Sequence, residues 1–281
     1  MRRKVLAFVF VMVVGALASD PGVQVAFAQT PPALGASCSG YTTTSTTVNC
    51  SSTISASTSD VVMVFVTTSS GTPGTPSMSG GGITFASRNT GSTTGATAAE
   101  FWGVPTSSIS SQTVSDIVSG GTTPNIAMVA FTVTGADTTT GPFDPNLATP
   151  PAANSGTTGT PTVSFTTKGS DDMLIGLVGT AAAVTLTAGT SCTTTCKLIA
   201  APSTALQTGA AEYATTTTAA SQTLDFGGAV TAAWVMFGDA LVASGGVPDL
   251  PFGVVPLLLL VPVVYVFMKA RARVPVPRSP T

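Results

Sequence analysis

Two short stretches, Ala98-Ala99-Glu100-Phe101 and Ala210-Ala211-Glu212-Tyr213, each put a carboxyl group beside an aromatic ring in a chain of 281 residues. A pair of acids is the equipment of glycoside hydrolysis, where two carboxyl groups flank the scissile bond about 5 to 9.5 Å apart. The duplication argues for a different use. Residues equivalent under a repeat occupy equivalent places in two halves, and such a shared place more readily serves structure, for example by capping a turn, than one joint site. The chain has no histidine, which removes His-dependent triads, imidazole bases and the His-containing zinc sites. No G-x-S-x-G, Walker loop or G-x-G-x-x-G occurs, and Gly80-Gly81-Gly82 reads as a turn. The expectation is a protein that is not an enzyme and has no catalytic residues.

Four cysteines remain. Cys38 and Cys50 flank an eleven-residue loop, and Cys192 and Cys196 flank a Thr triplet. Proximity favours the disulfides 38 with 50 and 192 with 196 among the three connectivities. The competing reading, a four-thiolate metal site, lacks the usual C-x2-C spacing. Asp137, Asp144 and Asn146, with Asp171 and Asp172, are oxygen ligands of the kind Ca²⁺ takes on loops, although their spacing matches no EF-hand and Asp beside Gly or Pro equally forms turns. Calcium is therefore a cofactor candidate and no other is indicated. Trp234 lies in the apolar run AAWVMF and reads as core. Trp102 closes AAEFW beside Gly103, where its ring either packs inward or faces a groove and stacks on a sugar. Asn49-Cys50-Ser51 is the one N-x-[ST] sequon, a glycosylation candidate next to a disulfide candidate.

The elements that must position these residues show themselves through self-similarity. Ser59-Asp60-Val61-Val62-Met63-Val64-Phe65-Val66 resembles Ser170-Asp171-Asp172-Met173-Leu174-Ile175-Gly176-Leu177, and Ser111-Gln112-Thr113-Val114 resembles Ser221-Gln222-Thr223-Leu224. With the two Glu stretches these matches keep their order at offsets of 110 to 112 residues, which marks an internal repeat with halves at about 48–134 and 160–243. PTVSFTT alternates apolar with polar and is half-buried, whereas VVMVFV, NIAMVAFTV, DMLIGLV and AAWVMFGDALV are apolar on both faces and belong in sheet centres. Short strands with Gly, Pro, Asn and Ser turns predict an all-β protein, an antiparallel β-sandwich of jelly-roll type built from two related halves. The join at 135–159 has no periodicity. It is either the crossover of one joint sandwich, which the buried second strands favour, or a linker between two tandem sandwiches.

The ends supply the location. Net charge is −2, but the stretch from residue 29 to 250 holds three basic residues (Arg88, Lys168, Lys197) against eleven acidic ones, a formal −8. This excludes a nucleic-acid binder, which needs a basic patch. Residues 1–28 read as a signal peptide: Arg2-Arg3-Lys4, a fourteen-residue apolar run from Val5 to Ala18, and two A-x-A cleavage sites, of which Ala26-Phe27-Ala28 is preferred. Residues 29–246 form a Thr/Ser-rich ectodomain. Residues 252–268 are apolar and about 25 Å long as a helix, at the short end of the spanning range and weakened by the interior Pro262. Residues 269–281 carry Lys269, Arg271 and Arg273, which hold the tail in the cytoplasm and the ectodomain outside.

Residues 247–251 with the span behind them, Val247-Pro248-Asp249-Leu250-Pro251-Phe252-Gly253 and then a basic end, resemble the PEF-CTERM sorting tail of archaeal surface proteins. Asp249 stands where that family has Glu and Leu250 where it has Phe. The resemblance implies a sortase-like membrane enzyme as a partner that reads Pro248, Asp249, Leu250 and Pro251; the alternative is a plain membrane anchor. The chain is thus expected to be a membrane- or envelope-anchored surface protein with a structural or adhesive role, its partners being envelope proteins or glycans. A carbohydrate-binding module is the alternative, and a filament subunit or a secreted hydrolase stands behind both.

Overall fold

In the computed structural model the described residues are 31–121, 124–139, 141–147 and 152–244. The signal-peptide, sorting-motif and transmembrane expectations fall on residues 1–28 and 247–281, outside that set. No helix among the described residues is long and apolar enough to cross a membrane.

The protein is all-β and its sheets are antiparallel, as a β-sandwich requires. In the first half, β1 (Ala33–Thr42), β4 (Val61–Thr68), β6 (Ala86–Thr93), β7 (Ala96–Gly103) and β10 (Ile126–Thr134) make a five-stranded sheet in the order β1-β10-β4-β7-β6. Over one face lie short strands: β2 (Thr47–Asn49), β9 (Val114–Ile117) and β5 (Ser77–Met78) in that order, and β3 (Ile54–Ala56) paired with β8 (Ile109–Gln112). In the second half, β11 (Ala152–Gly156), β13 (Met173–Thr180), β14 (Lys197–Ala200), β15 (Thr208–Thr215) and β17 (Trp234–Leu241) make a sheet in the order β11-β17-β13-β15-β14, with β12 (Thr162–Thr166) and β16 (Ser221–Asp225) as a separate pair. Position for position the two large sheets have the same order.

Three apolar layers hold these sheets. Val62, Val64, Val66, Met128 and Ala130 point from the first large sheet toward its short strands and meet Ile54 and Val114. Leu174, Val178 and Met236 do the same in the second half against Phe165, Leu224 and Phe226. The remaining faces pack on each other: Val61, Met63, Phe65, Val129 and Phe131 meet Met173, Ile175, Leu177, Val235 and Phe237 in one continuous cluster. Phe65 and Phe237 cross edge to face at 6.1 Å. Residues 29–244 form one compact unit, with both large sheets in the middle. A strand covered on both faces has no reason to alternate, which is why β4 and β13 are apolar throughout and every one of their residues is buried. Close approach of the sheets needs glycine at Gly179, where an added Cβ would reach the Thr67 side chain across the join; the Gln207 amide bonds the same hydroxyl.

The join at 135–159 is not structureless, since it contains a 3-10 turn at Pro145–Leu147 and the strand β11. The sequence AANSG conceals that strand because it is small, polar and nearly free of β-formers. Pairing with the apolar β17 supplies what propensity does not. β1, rich in Gly and Ser, escapes sequence reading for the same reason and is an edge strand that pairs only with β10.

Candidate functional site

Two buried acid centres result from this architecture. The first lies between the halves. Glu100 on β7 shares its face with Ala98 and Trp102, so it points into the layer between the large sheets. Asp239 on β17 enters the same layer on the face of Phe237 and Leu241. Arg88 on β6 reaches it with two hydrogen bonds, Nε to Oδ2 at 2.7 Å and Nη2 to Oδ1 at 3.0 Å, and donates as well to the Leu147 carbonyl. The pair is almost dry, with 8% of the Arg88 side chain and none of Asp239 exposed. The guanidinium stacks 3.8 Å from the centroid of Phe143, and Phe143 meets Trp102 edge to face at 5.3 Å. Trp102 is thus half-buried and part of the join.

One cation serves two acids here. Burial pushes Asp239 up to about 6 even though Arg88 pulls the other way. Glu100 is raised well above the usual carboxylate range, first by burial and then by the charge of Asp239, with Arg88 offsetting only part. Neither Glu100 oxygen has a hydrogen-bond partner. A fully buried carboxylate in that position is costly, so burial favours the protonated form of Glu100.

Near this ion pair in space, where the charge of Asp144 acts on Asp239, two of the calcium candidates come together. Asp144 is fully buried and its carboxylate accepts N–H bonds from Asn146 (2.7 Å), Lys168 (2.7 Å) and Gly169 (3.0 Å). Asp172, 1% exposed, faces it. Burial pushes Asp172 up to about 7, and the hydrogen bond to Asp144 and that residue's charge push the same way. With both ionised, neither Asp172 oxygen has a donor; with Asp172 protonated, its O–H donates to Asp144. Asp137 instead accepts from the N–H and hydroxyl of Thr139, both at 2.7 Å, in a local turn, and Asp171 takes a left-handed φ of 61° where the chain turns into β13. Among the described residues these four aspartates make no group of three with metal-ligand spacing. Asn49 is exposed on β2 and accepts from Ser115 Oγ at 2.6 Å.

The second centre lies under the outer layer of the second half. Both disulfides are formed, Cys38–Cys50 and Cys192–Cys196. Glu212 on β15 shares a face with Ala210 and Ala214, away from the join, and points at the second disulfide. Its Oε2 accepts from Gly189 N–H at 2.9 Å. Asp225, closing β16, accepts from Ser191 N–H at 2.9 Å. Cys192 Sγ lies 3.4 Å from Asp225 Oδ1 and 4.0 Å from Glu212 Oε1. Burial pushes Glu212 up to about 8, the Gly189 N–H opposing and the charge of Asp225 assisting.

Glu100 and Glu212, matched by sequence, therefore face opposite ways and belong to different centres. Arg88, Phe143, Asp225 and Asp239 carry as much of the two centres and were not singled out from the sequence as site residues. Their signals were present: Arg88 is one of three bases between residues 29 and 250, and Asp239 is the lone charge in an otherwise apolar strand. No family model, curated protein or solved structure matches the chain.

Proposed function

We propose that the chain is an exported structural or adhesive protein of the cell surface. In this reading residues 1–28 direct export, residues 29–246 stand outside the membrane as a rigid jelly-roll-like body of two related halves, and residues 252–268 span it. Pro248, Asp249, Leu250 and Pro251 are the place where a sortase-like enzyme cuts and transfers the ectodomain to the envelope. The carrying observation is that all four cysteines of the chain are closed into two local disulfides, which supports folding in an oxidising compartment outside the cytoplasm. The burial of Arg88, Glu100, Asp144, Asp172 and Asp239 supports a structural role, because these groups hold or line the packed interior rather than face solvent.

Mass spectrometry of the mature protein from its native cell, combined with labelling of intact cells by a membrane-impermeant reagent, tests this reading. Labelling of the ectodomain is expected. A C-terminus near residue 250 supports transfer, and one at Thr281 supports a plain anchor. Absence of surface labelling overturns the proposal, and selective glycan binding lost in Trp102→Ala would replace the structural role with a carbohydrate-binding one.

A further inference from the structure

The two disulfides have different neighbours. Cys38–Cys50 belongs to an apolar layer with Val48, Phe101 and Ala130. Cys192–Cys196 has two carboxyl groups beside it, Glu212 fully buried and Asp225 3% exposed. Among the described residues the one ion pair is Arg88–Asp239, so neither of these acids is matched by a cation. The sheet makes room for this arrangement. Gly176 stands opposite Glu212 where the first half has Val64 opposite Phe101, and a Cβ on Gly176 would lie 3.0 Å from Glu212 Oε1.

We propose that, once the Cys192–Cys196 disulfide is reduced, this place binds one thiophilic divalent cation of the Zn²⁺ type through both sulfurs and Glu212, with Asp225 as the fourth ligand. The Cys192, Cys196 and Glu212 ligand atoms lie within 4.8 Å of one another, and the two Cα atoms are 6.0 Å apart. Two thiolates and two carboxylate oxygens are a tetrahedral donor set suited to zinc. The Gly189 and Ser191 N–H groups already orient the two carboxylates, the service that outer groups give to metal ligands. The redox balance is simple. A dithiol or phosphine reductant supplies two electrons, the S–S bond opens to two thiols, and metal binding releases their two protons and the proton that buried Glu212 holds to solvent, while the cation keeps its charge. Cys192 is half-exposed and admits the reductant, whereas Cys196 is buried.

The test uses the full chain, reduced with a phosphine under anaerobic conditions and titrated with Co²⁺, whose thiolate charge-transfer absorption reports sulfur ligation. One Co²⁺ per reduced chain is expected, displaced by Zn²⁺, with no uptake by the oxidised protein. The absorption should vanish in Cys192→Ser with Cys196→Ser, survive in Cys38→Ser with Cys50→Ser, and weaken in affinity about tenfold or more in Glu212→Gln. A reduced wild-type chain without the absorption overturns the proposal, as does absorption that persists without Cys192 and Cys196. Indifference to Glu212→Gln also overturns it, since it would mean that a loosened chain captures the metal by its thiols alone.

Discussion

The two halves have the same sheet order, but residues matched by sequence differ by one in phase along β7 and β15. They do so as well along β4 and β13, where Val62 and Val64 point outward and their counterparts Met173 and Ile175 point to the join. In β7 the residues Ala99 and Phe101 point outward to the half's own short strands, and Glu100 points to the other half. In β15 the outward residues are Ala210, Glu212 and Ala214, while Ala211 and Tyr213 point to the join. The stretches AAEF and AAEY are alike as letters, yet Phe101, not Glu100, holds the place of Glu212: it opposes Val64 as Glu212 opposes Gly176. A slip of one residue exchanges the two faces of a strand. The consequence is that one glutamate helps to line the join and the other stands behind a disulfide. Similar sequence in a β repeat thus identifies the strand without identifying the face.

The largest expected effect separates the join from the outer layers. Arg88→Met removes the cation that serves Asp239 and stands near Glu100, both fully buried. Stripping one partner from such a pair costs about 3–5 kcal/mol. The urea midpoint at pH 7 should fall accordingly, and the loss should shrink at pH 5, because Asp239 then becomes neutral and needs no partner. An Arg88→Met protein as stable as wild type at pH 7 would show that the join is held by its apolar layer alone. The companion variant Arg88→Met with Asp239→Leu, apolar on both sides, should recover most of the loss.

The disulfides give the next effect. Cys38–Cys50 closes a loop with a sequence separation of 12 and Cys192–Cys196 one of 4. Chain entropy assigns about 3 kcal/mol to the first and about 2 kcal/mol to the second. Replacing each pair by Ser should therefore lower stability more in the first half, as read from thermal unfolding at matched pH. The reverse order would mean that the acids behind Cys192–Cys196 depend on that bridge for their placement.

Much of the fold was legible in the sequence because its signals are those of burial. Runs such as VVMVFV and AAWVMFGDALV announced strands covered on both faces, and the disulfide partners followed from proximity. What escaped has a physical reason in each case. β1 and β11 are poor in β-formers and exist because β10 and β17 offer them a ladder. The order of layers escaped because an apolar strand face does not say what covers it, so a single sandwich and two tandem ones both fitted where the chain stacks two large sheets back to back between shorter ones. The Arg88–Asp239 pair, 151 residues apart, joins two strands whose proximity only the stacking creates. Asp144 and Asp172 both read as oxygen ligands, and their meeting is legible as a grouping, but its outcome, an Asp172 carboxyl pushed up to about 7, depends on burial that the sequence does not display.

The smallest effect, and the one that bears most directly on the two glutamates, concerns their protons. Glu212 titrates at about 8 in the folded protein against an ordinary value of 4.5, and Glu100 is raised in the same direction. Between those values the unfolded chain has released the proton and the folded one still holds it, so the unfolded state binds fewer protons and stability falls as pH rises. Asp172, raised from 3.8 to about 7, and Asp239, raised from 3.8 to about 6, act with the same sign. The melting temperature should therefore be higher at pH 5 than at pH 8, opposite to a protein whose carboxylates are stabilised as ions. Glu100→Gln and Glu212→Gln replace a neutral acid by a neutral amide of the same shape and should change stability at pH 5 by no more than about 1 kcal/mol. As pH rises each variant should overtake the wild type, because the amide has no proton to lose. Glu212→Gln should do so within the window ending near 8. A wild-type melting temperature that rises from pH 5 to pH 8, or a Glu→Gln variant that is strongly destabilised at pH 5, would mean that these carboxyls are held as ions by partners, and the contrast between an acid at the join and an acid behind the disulfide would lose its electrostatic basis.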